Sequence, residues 1–448
     1  MAKKLRIVFY PAFFDDAVLT DQYYRALWYL KPVEAYIERV DFYSNASAKI
    51  GSLPEYFDKT ILQHIGVADR LFTLHVGQPN ALTDIDDGES LVLIWDQACE
   101  HDAAKLKHTR CFVIDVNALH EGDAYLEIAG ALLPLTDPDA GKHSMLQAIQ
   151  HERKDRSFIF GTGPSLANAY DQDFSDGVSV VCNSAVKDEL LLEKVRPRFI
   201  VAADPIFHSG CSSYAQHFRE ALIKAMRAYQ CWLLVQARDA HVYHTYLPAD
   251  VQSLIIPVPV HYQLRPNTSF PENFFVTSTR NVMTMFLIPL GAALGREIAV
   301  LGCDGRKIDD NAYFWKHHEP AQFNAQMSVI QNAHPGFFTL DYQDYYALHC
   351  ETVRRWIMAH ERNGKHFISL TPSYIPALAA RAQRVDQQDS IHIPVSFELH
   401  SRIAFWIRSV QSVYGSILTR FAKRPGLVQL LRCPVIAARI ILRSGKRA

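Results

Sequence analysis

The stretch SFIFGTGPSLANAY, residues 157–170, decides the reading of the fold. An apolar strand of four residues runs into Gly161-Thr162-Gly163, and Pro164-Ser165 follows at the start of a helical segment. Glycines after a strand let backbone approach a ligand, because no Cβ stands in the way. The first N–H groups of a helix have no partner within it, and the helix dipole places positive charge there, so an anion such as a phosphate suits the position. Pro164 fits the first helical turn, and Ser165 can cap the helix or donate to a phosphate oxygen. No third glycine follows at dinucleotide-fingerprint spacing, so this is a phosphate-loop pattern of a different kind.

Similar strand ends lie further along. Asn183 follows the apolar run SVVC, Asp204 follows FIVAA, and Asp304 follows AVLGC. In open parallel sheets ligands bind outside the carboxyl ends of the strands, where such polar residues face the pocket. Strand-like runs at 157–160, 178–182, 198–202, 231–236, 253–257, 298–301 and 366–370 alternate with helix-compatible stretches, including 279–294 and 343–362. An earlier series at 5–10, 39–43, 70–76, 90–95 and 111–116 alternates in the same way, with helices expected at 20–31 and 52–65. Alternation of this kind predicts parallel sheets covered on both faces. The expected fold class is α/β: two Rossmann-like domains with mainly parallel sheets, plus a C-terminal amphipathic helical tail. The boundaries expected are 1–150 for an N-terminal α/β domain that helps bind an acceptor, 151–385 for a nucleotide-sugar-binding domain, and 386–448 for the tail.

The 448 residues are 49% hydrophobic and 21% charged, with a formal net charge of −1. That total conceals a partition. Residues 402–448 hold ten Lys or Arg and no Asp or Glu, leaving −11 over residues 1–401. Apolar residues from Ile403 through Trp406 and Val410 to Phe421 recur at three- and four-residue steps, which predicts an amphipathic helix with arginines at its edges. Such a segment suits an anionic membrane surface. The acidic body argues against nucleic acid as a partner. Eight scattered cysteines without a CxxC pair suggest a reducing compartment and no zinc site. The N-terminus lacks a signal-peptide pattern, and no apolar window is long enough to span a bilayer. The expected location is cytoplasmic, peripheral at the inner face of the membrane. The run Asp84-Ile85-Asp86-Asp87 has the Asp-x-Asp form of some metal–nucleotide sites but reads as a polar turn, and His241 with His244 lacks a third zinc ligand.

The series GTGPSL, CNS, ADP and LGCDG, followed by Tyr313 and His334, resembles the bacterial sialyltransferases of glycosyltransferase family forty-two and the related motility-accessory, flagellin-modifying domains. The resemblance spans about 157–380, half of the chain. It implies inverting transfer of sialic acid or a related sugar from a CMP donor, with no cofactor and no metal, to a glycan or glycolipid acceptor. It also implies roles. Gly161, Thr162, Gly163, Pro164, Ser165, Asn183, Asp204 and Asp304 would line the donor nucleotide. Tyr313 would hydrogen-bond the departing phosphate, and His334 would take the acceptor's proton, an imidazole being suited to that at neutral pH. The sequence departs from the family pattern where Thr162 replaces an asparagine, where Asp204 stands for another, and where Gly305-Arg306-Lys307 replaces a second tyrosine. Arg306 would then stabilise the leaving phosphate as a cation. Two other functions remain open on the sequence: an ATP- and magnesium-dependent pterin-type pyrophosphokinase working through Asp204 and Asp304, and a non-catalytic membrane-associated nucleotide-binding scaffold.

Overall fold

The computed structural model describes residues 4–45, 49–77, 85–107, 109–114, 122–133, 138–262, 264–307, 317–334, 342–383 and 394–421. Tyr313 and the basic stretch 422–448 lie outside the described residues. The strands of the first sheet are β1 (Leu5–Tyr10), β2 (Ile37–Ser44), β3 (Phe72–Val76), β4 (Ser90–Ile94) and β5 (Arg110–Val113). They pair in the order β3-β2-β1-β4-β5, every neighbour parallel. β4 is buried at all five positions, as expected for a strand covered on both faces. Its cover includes helix Asp16–Leu30, capped by Asp15, whose carboxylate accepts from the Val18 amide at 2.9 Å.

The second sheet is larger. β6 (Arg156–Phe160), β7 (Gly177–Cys182), β8 (Phe199–Val201), β9 (Trp232–Gln236) and β10 (Ile255–Val258) step outward in one direction. A small parallel pair, β11 (Val260–His261) and β12 (Val276–Thr277), intervenes. The chain then returns to the other side of β6 with β13 (Glu297–Leu301) and β14 (His366–Ser369), giving the order β10-β9-β8-β7-β6-β13-β14, all parallel. The period of two divides the strands between two cores. Ile159, Val178 and Val180 face one layer, while Phe158, Phe160 and Val181 face the other. The expected α/β class with parallel sheets is the architecture observed.

Three local features differ from the sequence reading. The segment after the glycine loop is a 3-10 helix, Pro164–Asp171, rather than an α-helix. The helix expected at 279–294 is a π-turn, Met283–Leu287, continuing into an α-helix, Ile288–Leu294, and both are buried. Helix Pro138–Glu152, assigned to the first domain by the boundary at 150, packs on the second sheet, because Met145, Ala148 and Ile149 join that sheet's core.

The C-terminal helix, Val395–Phe421, is held to the body by one face. Phe397 and Phe405 enter the core of the second unit, the Arg355 guanidinium lies 4.2 Å from the Phe405 ring centroid, and His400 Nε2 is 2.9 Å from Asp344. The opposite face carries an exposed stripe, Val395, Leu399, Ile403, Trp406 and Val410. No helix among the described residues is long and apolar enough to cross a membrane.

The two units interlock. Cys211 and Val242, from the second unit, are buried in the core of the first. The indole of Trp28 stacks on Tyr246 at 3.6 Å, and its Nε1 donates to the Ser209 carbonyl. The loop 209–212, which follows the short helix Pro205–His208 after β8, is therefore braced by the N-terminal unit.

Candidate functional site

A cleft opens at the carboxyl ends of β6, β7, β8 and β13, where the strand order reverses between β6 and β13. Such a reversal separates the loops that follow adjacent strands and leaves a crevice between them. Gly161, Thr162 and Gly163 form one lip, and Gly302, Cys303 and Asp304 form the other. Asn183 and Asp204 contribute from β7 and β8.

The lips are in direct contact. A Cβ on Gly161 would lie 2.4 Å from the Gly302 carbonyl oxygen, and one on Gly163 would lie 2.1 Å from Asp304 Oδ2. These glycines therefore serve the packing of loop on loop. Their amides are also committed: Gly161 N donates to the Leu301 carbonyl at 2.8 Å and Gly163 N to the Gly302 carbonyl at 2.7 Å. Asp304 occupies the start of the 3-10 helix. Its carboxylate accepts from Ser165 N at 3.1 Å and from Ser165 Oγ at 2.8 Å. Burial raises the Asp304 pKa even against these hydrogen bonds. The position expected to bind phosphate through the Ser165 amide thus holds a carboxylate of the protein itself, and Pro164 and Ser165 are not among the cleft's lining residues.

Asn183 is different. It lies immediately after β7 with φ 49°, in the left-handed region that asparagine tolerates better than most residues. Its Oδ1 is buried and has no hydrogen-bond partner among the described residues. A buried carbonyl oxygen left unmatched costs about 1–3 kcal/mol, so a donor supplied by a ligand in the cleft would be favoured there.

Asp204 caps the short helix Pro205–His208 without a side-chain hydrogen bond. Burial alone pushes its carboxyl up to about 6. His208, buried against the Asp204 backbone, is pushed down to about 3, so its ring is neutral at pH 7. The opposite wall carries His317, pushed down to about 4 by burial, whose Nδ1 is 2.9 Å from Thr162 Oγ1. His349 is buried and likewise pushed down to about 4. At the rim stands Arg280, a cation with φ 58° whose carbonyl accepts from the Tyr345 hydroxyl.

The cleft thus gathers Gly161, Thr162, Gly163, Asn183, Asp204 and Asp304. It does not gather Arg306 or His334. Arg306 is buried, with its guanidinium 5.0 Å from the Tyr346 ring centroid. His334 is 0% exposed and follows helix Met327–Ala333, whose last carbonyl accepts from Arg25 Nη2 at 2.6 Å. Sequence reasoning did not find Arg280, His208, Tyr214 or His349 as cleft residues. His208 carried the only signal: it stands four residues after Asp204, one helical turn on. Asp86 and Asp87 act as turn carboxylates, accepting from the Lys107 and Thr109 amides and from the Glu89 and Ser90 amides.

The chain matches no protein-family model, and no curated protein matches it. Among solved structures it matches the crystal structure of the glycosyl transferase family 9 protein from Veillonella parvula DSM 2008, at 12% identity over 76% of this chain and 99% of that chain. The TM-score is 0.19, too low for that match to carry an argument about fold or activity.

Proposed function

We propose that this chain is an inverting glycosyltransferase that moves sialic acid or a related sugar from a CMP donor to a hydroxyl of a glycan or lipid-linked acceptor. The observation that carries the reading is Asn183: a buried, unmatched Oδ1 on a left-handed residue, facing a cleft at the strand-order reversal of a parallel sheet. A cytosine amino group or a ribose hydroxyl would supply the donor it lacks. Among the described residues, Arg280 lines the cleft as a cation, which suits a phosphate whose negative charge grows as the sugar departs. In the reaction the acceptor oxygen forms a bond to the anomeric carbon. The bond from that carbon to the CMP phosphate oxygen breaks, with its electron pair leaving on the phosphate. The acceptor's proton passes to a base on the cleft wall.

The C-terminal helix supports an acceptor presented at a surface. Its outward stripe, with Trp406 67% exposed, suits the interface of an anionic bilayer on the cytoplasmic side, and the ten cations of 402–448 add electrostatic attraction. The test is release of CMP from CMP-sialic acid in the presence of a lipid-linked glycan, with and without EDTA. Expected is turnover that persists in EDTA. Turnover that instead requires ATP and magnesium would favour the pyrophosphokinase reading.

A further inference from the structure

Inverting transfer needs a group that takes the acceptor's proton while facing the reacting carbon. We propose that Asp204 is this general base, in place of His334; the inference rests on the transferase reading above.

The geometry separates Asp204 from the other acids and bases. It lines the cleft three residues beyond the end of β8, at the start of helix Pro205–His208, with its carboxyl free of hydrogen bonds and ion pairs among the described residues. Asp304, across the cleft, is engaged by the Ser165 amide and hydroxyl. His334 is fully buried outside the cleft lining, so a substrate hydroxyl in the cleft does not reach it in this arrangement.

Among the described residues, the groups around Asp204 leave its carboxylate without a cation beside it. Cys182 comes from β7, Tyr214 from helix Ser213–Tyr229, Tyr243 from helix Ala240–Tyr246 and His208 from its own short helix. Burial raises the thiol and both phenols and lowers the imidazole, so all four are neutral near pH 7. The nearby buried cation Arg219 is paired with Asp58. Farther across the cleft stand Asp304, His317, His349 and the rim cation Arg280. A carboxylate surrounded by neutral groups is poorly solvated and more basic than one in water, which is the condition a proton acceptor requires.

In the step itself, one Asp204 oxygen accepts the acceptor's hydroxyl proton as that oxygen attacks the anomeric carbon. CMP leaves with the electron pair of the broken bond. Asp204 ends protonated and returns its proton to solvent.

The experiment compares wild type, Asp204→Asn and His334→Gln across pH 5–8, reading CMP release and, separately, CMP binding. In wild type, kcat/KM is expected to fall about tenfold per pH unit below an apparent pKa near 6, because the base must be ionised. Asp204→Asn keeps CMP affinity within a few fold, loses roughly 10²–10⁴ in turnover, and loses the acid limb. The acid limb persists in His334→Gln. Active Asp204→Asn with its limb intact overturns the proposal while leaving the transferase reading standing. A wild type that neither binds CMP nor releases it from a CMP-sugar overturns the reading itself, and the assignment of Asp204 with it.

Discussion

Replacing Arg219 with methionine is expected to destabilise the protein by about 3–5 kcal/mol, the usual consequence of removing one partner from a buried ion pair. The Arg219 side chain is 6% exposed and that of Asp58 2%, with Nη2 to Oδ2 at 2.5 Å. The same guanidinium donates to the His208 carbonyl at 3.1 Å and the Gly210 carbonyl at 2.9 Å, and lies 4.6 Å from the Trp28 ring centroid. Asp58 belongs to the first unit, His208 and Gly210 to the second, so a single side chain satisfies acceptors on both sides of their junction. Methionine retains much of the packing against Trp28 and removes every donor. Three acceptors are then buried without this partner, which is more costly than the net worth of the bonds themselves. Urea unfolding of wild type, Arg219→Met, Asp58→Asn and the double variant checks the claim. The double variant is expected to be less destabilised than the sum of the single ones, because removing both partners leaves no lone buried charge. A loss below about 1 kcal/mol in Arg219→Met would place the pair in the range of exposed ion pairs and contradict its role at the junction.

Gly161→Ala is expected to damage the cleft. The added carbon would meet the Gly302 carbonyl oxygen at 2.4 Å and Cys303 Sγ at 2.8 Å. The first of these is backbone, tied into the end of β13, and has no rotamer through which to move away. One lip must therefore shift, and the shift carries Thr162 with it. Overpacking of this kind costs about 1–3 kcal/mol. Because both lips line the cleft, CMP affinity should fall at least about tenfold, which is 1.4 kcal/mol. Gly66→Ala is the control. It lies in helix Ile65–Leu71 with nothing within 4 Å of the new methyl, and should be neutral or slightly stabilising. Thermal melting and CMP titration of the two variants read both effects. Equal CMP affinity in wild type and Gly161→Ala would show that the contacting lips do not shape the ligand site.

The contrast between what was legible in the sequence and what was not follows the range of the interactions. Strands such as SFIF and SLVLI announce themselves locally, because burial on both faces requires unbroken apolar runs. The parallel arrangement, the cleft, and the presence of Asn183, Asp204 and Asp304 at its strand ends were readable on that basis. Asp304 as a brace was not, because its partner Ser165 lies 139 residues away. Arg306 reads as a loop cation beside the cleft, yet its guanidinium stacks on Tyr346, forty residues on, and that pairing leaves no local trace. Helix Pro138–Glu152 shows its apolar positions in the sequence but not which of two sheets will cover them. The same holds for the C-terminal helix. Its apolar residues serve two opposite faces, one against the body through Phe397 and Phe405, the other outward through Trp406.

Asn183 combines both cases. Its place after β7 was readable, while its unmatched Oδ1 is a property of the folded surroundings. The central claim, that this cleft receives a cytidine nucleotide, is tested most directly by calorimetric titration of CMP, UDP, GDP and ATP into wild type and Asn183→Ala. The account predicts that CMP binds, that the other nucleotides bind more weakly, and that Asn183→Ala weakens CMP at least about tenfold, the effect of one lost buried hydrogen bond. Absence of CMP binding, or CMP binding unchanged in Asn183→Ala, would contradict it.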